Sequence, residues 1–140
     1  MHLHASCAVR EGSGVLLTGQ PGSGKSDLLL RLLDRGFGLV ADDRVVIEDG
    51  CARPAAALAG LIEVRGLGLL RLPHVASARL VLVVQLDGPP ERLPLPETCP
   101  ALGLPMIHLD ARAASAPVRV AWALDCALGR TAQLVGAFAA

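Results

Sequence analysis

Gly19-Gln20-Pro21-Gly22-Ser23-Gly24-Lys25-Ser26 satisfies G-x-x-x-x-G-K-[ST] at every specified position. Such a run works only as the turn between a strand and a helix, so it constrains the fold before anything else is read. The glycines let the backbone bend until several N–H groups converge on phosphate oxygens, and the following helix adds its positive end. Both flanks are present. Val15-Leu16-Leu17 is an apolar strand entered through Gly14. From Ser26 to Arg35, Leu28, Leu29, Leu32 and Leu33 recur at helical spacing against Asp27, Arg31, Asp34 and Arg35. Lys25 is expected to reach the β/γ-phosphates and Ser26 to place its hydroxyl on Mg²⁺.

The rest of the composition fits one domain, residues 1–140, with a real core: 52% of residues are apolar and only 19% charged. Thirteen Lys+Arg balance thirteen Asp+Glu with no basic block, which argues against a nucleic-acid scaffold. Among those cations Lys25 is the only lysine. A chain that otherwise uses arginine thus has a compact ammonium where a phosphate cradle needs one. Leu80 to Val84, the longest sheet-like apolar run, is too short for a membrane helix, and MHLHASCAVREG lacks the cationic start and long apolar stretch of a signal peptide. Cys7, Cys51, Cys99 and Cys126 form no CxxC pair, so neither a zinc ribbon nor a redox motif is supported. A cytoplasmic protein with reduced thiols is the expectation.

Along the chain, Leu3 to Val9 reads as a first strand, followed by a turn over Arg10 to Gly14. Gly36 supplies the left-handed position that ends the first helix. Leu39-Val40-Ala41 is a buried strand delivering Asp42 and Asp43, Val45 to Ile47 continues as strand, and Asp49-Gly50 is a hairpin turn. Ala55 to Leu61 fits a short helix or a loop. Leu80 to Leu86 is a strand, proline-rich Gly88 to Gly103 an extended surface loop, and Met106 to Leu109 a final strand. Ser115 with Pro117 starts a helix carried by Val120 to Leu128 and ended by Gly129.

A phosphate loop alone does not choose a reaction. Asp42 and Asp43 stand where open α/β sheets place their chemistry, beyond the carboxyl end of a strand. Adjacent strand residues point to opposite faces, so one of the two carboxylates looks into the site, unless both are solvated in a turn. Glu63 lies in apolar Leu61-Ile62-Glu63-Val64, where a carboxylate is costly to bury unless paired, with Arg65 for example, or metal-bound. Taken singly, His4 reads as structural or exposed and Arg92 as a surface cation. His2, His74 and His108 have no carboxylate or cysteine at ligand spacing and read as structural or surface. No N-K-x-D guanine signature, G-x-S-x-G elbow or H-E-x-x-H helix is present.

Together these positions are more specific than the loop. His4-Ala5-Ser6-Cys7, Gly14 through Asp27, Leu39-Val40-Ala41-Asp42-Asp43-Arg44-Val45 and Leu61 through Gly68 resemble the catalytic domain of HPr kinase/phosphorylase, from about His4 to Leu93. The resemblance implies an α/β fold of the HPr kinase/PEP carboxykinase-like type: a single P-loop domain, its mixed sheet flanked by helices. It also implies transfer of the γ-phosphoryl of ATP to a serine of the phosphocarrier HPr, and removal by inorganic phosphate with release of pyrophosphate. By position, Asp43 matches the general base, Lys25 the P-loop lysine, His4 the active-site histidine, Ser26 and Glu63 the magnesium ligands, and Arg92 a catalytic arginine. The family is oligomeric, which implies a homo-oligomer, a hexamer by this resemblance.

Two departures are visible. The family's amino-terminal domain is expected to be absent, and Leu104-Pro105-Met106-Ile107 with Arg112 to Ser115 replaces its phosphorylase segment, as in short alphaproteobacterial forms. A small-molecule P-loop kinase or ATPase, and a non-catalytic nucleotide sensor, remain the alternatives.

Overall fold

Two tight turns set much of the strand register in the computed structural model, which describes residues 1–139. Glu11 and Gly12 have φ 50° and 82°, and Asp49 and Gly50 have φ 52° and 76°. Two consecutive positive values are what a two-residue hairpin loop with native twist requires. The first joins β2 (Ser6–Arg10) to β3 (Ser13–Thr18); the second joins β5 (Val45–Glu48) to β6 (Cys51–Pro54).

The strand expected over Leu3 to Val9 is two strands. β1 (His2–Leu3) pairs with β5, whereas β2 pairs with β3 and with β4 (Gly38–Ala41). The chain changes partner across His4-Ala5, something a local apolar run cannot reveal.

The central strand is β9 (Ala78–Gln85). It runs parallel to β3 along one edge. Along its other edge it pairs antiparallel with β6 at its start and parallel with β11 (Leu104–His108) at its end. Proline-rich 88–103 is not wholly loop, because β10 (Thr98–Cys99) pairs with β11. The result is a nine-stranded mixed sheet. Ala56–Leu58 forms a 3-10 turn, and β7 (Leu61–Val64) pairs with β8 (Gly68–Arg71) as a separate hairpin.

Alternation along the strands builds one core on each face. Val15, Leu17, Leu82 and Val84 pack against α1 (Lys25–Asp34) and α2 (Ala116–Ala127). Leu16, Val40 and Val83 pack instead against Val45, Ile47 and Ala52 of β5 and β6. The expected mixed sheet with helices is therefore found, with both helices on one face. Each fully buried leucine contributes about 1.5–3 kcal/mol. Helix α1 ends where Gly36, at φ 92°, lets its N–H bond to Leu33 O (3.2 Å) and that of Phe37 to Leu32 O (3.1 Å). Phe37 and Leu32 then share the core. Helix α2 has Ser115 as its N-cap residue and Pro117 in its first turn, where the sequence places its start. Among the described residues no helix is long and apolar enough to cross a membrane.

Candidate functional site

Register fixes which residues meet. Ser6 lies opposite Leu17, Cys7 opposite Ala41, Thr18 opposite Gln85, and Gln85 opposite His108. The start of β2 and the ends of β3, β4, β9 and β11 therefore share one edge of the sheet. His4, the loop 19–26, Asp42-Asp43 and the root of the segment carrying Arg92 all emerge there.

Two sheet contacts fix the base of the phosphate loop. Thr18 Oγ1 donates to Gln85 Oε1 (2.6 Å), and Leu86 N–H donates to Thr18 O (2.8 Å). Within the loop, Ser23 N–H bonds to Gln20 O (3.0 Å), while Lys25 Nζ donates to Gly19 O (2.8 Å) and Gln20 O (3.1 Å). No side chain caps the amino terminus of α1, so its first-turn N–H groups are free to face a ligand. The Ser23 hydroxyl is buried without a hydrogen-bond partner among the described residues, another donor suited to a phosphate oxygen.

Two glycines of the turn have no room for a side chain. A Cβ on Gly19 would stand 2.5 Å from Ser23 Oγ, and one on Gly24 (φ 96°) would stand 2.9 Å from Ala111 Cβ. The wall at Ala111 is itself braced by α1. Arg31 Nη2 donates to Ala111 O, Arg31 Nη1 to Ala113 O (3.2 Å), and Nε pairs with Asp27 (3.0 Å).

Asp42, only 9% exposed, accepts 2.8 Å hydrogen bonds from the hydroxyls of both Ser26 and Ser6. Ser6 Oγ also accepts the Asp43 N–H (3.4 Å). Asp43 has φ 67°, so the chain has left strand geometry and its carboxylate is exposed. The residue that holds Ser26 is thus Asp42, whereas the resemblance drew attention to Asp43. Ser6 was not singled out at all; its one local signal is a hydroxyl in the buried β2.

Lys25 is bonded to Gly19 and Gln20, and Ser26 to Asp42, which Ser6 links in turn to the Asp43 N–H. His4, Glu63 and Arg92 are exposed, and among the described residues their side chains make no hydrogen bond or ion pair. The Glu63–Arg65 pairing weighed from sequence does not form. Glu63 sits on β7, whose Ile62 anchors the hairpin in the same core as α1.

Among the described residues no three His, Cys, Asp or Glu side chains converge as a metal group. Mg²⁺ needs no such group, since it uses one or two carboxylates with waters and substrate phosphates. The Ser26–Asp42 pair fits that requirement. Cys7 adds no nucleophile, because burial pushes its thiol up to about 12, the Val15 backbone hydrogen bond offsetting only part of this.

The model of the HPr Serine kinase C-terminal domain matches residues 1–84, more than half of the chain. The chain belongs to the HPr serine kinase C-terminal domain family. It is 42% identical to the HPr kinase/phosphorylases of Burkholderia cenocepacia (strain HI2424) and Paraburkholderia phymatum (strain DSM 17167 / CIP 108236 / LMG 21445 / STM815), over 74% of this chain and 38% of each relative. The chain thus spans well under half the length of those relatives. The solved structure of the Hpr(Ser) kinase/phosphatase from Coxiella burnetii superposes with a TM-score of 0.69 at 28% identity, covering 86% of this chain and 91% of that one. The HPr kinase family match includes the phosphate loop, Asp42, Asp43 and Glu63 and stops inside β9. Arg92 and His108 lie beyond it.

Proposed function

We propose that this chain transfers the γ-phosphoryl group of ATP to a serine hydroxyl of an HPr-like phosphocarrier of the phosphotransferase system. The proposal extends to the reverse step, in which inorganic phosphate takes the phosphoryl group from phosphoserine, releasing pyrophosphate and the free hydroxyl. The observation that carries it is the bonding of Ser26 to buried Asp42, beside exposed Asp43, in a chain of this family.

Phosphoryl transfer needs positioning and charge neutralisation more than covalent help. Mg²⁺, when bound, would neutralise the β- and γ-phosphate oxygens. Ser26 and Asp42 would hold it, with Glu63 as the further ligand assigned by resemblance. The orphan Ser23 hydroxyl and the uncapped N–H groups of α1 suit the phosphates. Lys25 would exchange its two carbonyl partners for phosphate oxygens. Asp43, exposed and off the strand, would take the serine proton and return it in reverse. His4 and Arg92 flank the same edge, Arg92 as the cation for the transferring or attacking phosphate. The proposal includes a homo-oligomer, supported by exposed Trp122, Leu134 and Val135.

The test incubates the protein with Mg·ATP and a purified phosphocarrier and looks for phosphoserine. Asp43→Asn should keep ATP affinity and lose about 10²–10⁴-fold in transfer rate. Wild-type protein that binds ATP yet forms no phosphoserine overturns the reading. Phosphate release without a protein substrate would instead assign a small-molecule kinase or ATPase.

A further inference from the structure

The segment between Asp87 and Glu97 is poorly held by its own backbone. Pro89, Pro90, Pro94 and Pro96 have no N–H to give, and among the described residues no backbone–backbone hydrogen bond outside helices and strands involves residues 87–96. It arches over a cavity of about 580 Å³ lined by Pro89, Pro94, Leu95, Met106 and Ile107, so apolar packing beneath it is incomplete. One side chain joins its two ends. His108, the last residue of β11, turns Nδ1 to the Asp87 carboxylate (2.9 and 3.1 Å to its two oxygens) and Nε2 to Glu97 Oε2 (2.5 Å).

We propose that His108 is a positioning residue whose imidazolium clamps both ends of the proline-rich segment and so fixes where Arg92 stands. Both ring nitrogens face carboxylates, so both act as donors only when the ring carries two protons; the neutral ring satisfies one carboxylate and leaves the other facing a lone pair. Other ionisable groups share this environment. Glu91 lines the same cavity as His108, and Arg119 and Cys126 of α2 line a smaller one that His108 also borders. Burial disfavours the charged ring. The Glu97 and Asp87 hydrogen bonds and charges outweigh this and raise the pKa above its ordinary 6.5. The sign follows: the clamp is fully formed below that ordinary value and is lost as pH rises through the raised folded one.

The clamp stands without any assumption about catalysis. Its effect on transfer rests on the proposed role of Arg92. Trypsin separates the two, because it cuts after Arg92 in the segment and after Arg112 in another exposed loop. The Arg92/Arg112 cleavage ratio cancels the pH dependence of the protease. His108→Gln and Glu97→Gln should each raise that ratio roughly tenfold near neutral pH. In wild type the ratio should climb as pH rises from the ordinary 6.5 through the raised pKa of His108, and in His108→Gln it should stay flat. A ratio equal to wild type in both variants overturns the clamp, as does a wild-type ratio flat across that range. A variant that merely unfolds cuts at both sites together and counts against it. Failure of phosphocarrier transfer in wild type would remove the kinase reading and leave this ratio unaffected.

Discussion

At Asp43 a β-carbon-bearing residue occupies φ 67°, a conformation costing about 1–2 kcal/mol outside glycine. The Ser6 hydroxyl accepts that residue's N–H and at the same time donates to Asp42. One side chain thus sets both aspartates. Ser6→Ala leaves buried Asp42 with Ser26 as its one hydroxyl donor, and a hydrogen bond to a charged group is worth about 1.5–3 kcal/mol. Thermal unfolding should register that loss, and the transfer rate should fall more than ATP affinity does. An unchanged melting temperature would show that Ser6 is a bystander. The strand–turn–helix around Gly19 to Gly24 was legible in the sequence because its geometry is local. Which aspartate holds Ser26 was not, because that depends on the backbone turning left-handed one residue later. The His108 cluster was hidden for a different reason. Its partners lie 21 and 11 residues away, Asp87 brought to it by the pairing of β9 with β11 and Glu97 by that of β10 with β11.

Two glycines of left-handed conformation mark the two ends of α1, and they separate stability from function. Gly36, at φ 92°, has nothing within 4 Å of an added Cβ. Gly36→Ala should cost about 1 kcal/mol, the left-handed penalty alone, and leave nucleotide binding intact. Gly24, at φ 96°, would in addition drive its Cβ against Ala111. Gly24→Ala should therefore lose stability and also weaken ATP binding more than tenfold, read by denaturation and calorimetry. Equal ATP affinity in the two variants would remove the close-packed wall from the account. Elements bounded by such turns were read well: α1, the Asp49-Gly50 hairpin and the start of α2. Elements defined by a distant partner were not, and both β1 and β10 exist only through the strands they join.

On the scale of the whole molecule, the helix-bearing face buries its core while α2 leaves Trp122 60% exposed and the following segment leaves Leu134 93% exposed. Single exposed apolar residues are ordinary, but several close together mark contact surfaces. Light scattering should give a mass several times the 14.5 kDa of one chain, and Trp122→Arg should reduce it. A wild-type mass of one chain would remove the oligomer from the proposal. The pairing of β3 with β9 has a further consequence, for the order in which the protein comes into being. Thr18 and Gln85 are 67 residues apart in the chain, yet their bond forms the base of the phosphate loop, and the wall comes later still, at Ala111. Such distant contacts form late in folding. A nascent chain emerging from the ribosome therefore displays the complete glycine-rich motif long before the turn has its base and wall, and under the proposed function nucleotide affinity becomes a marker of finished assembly.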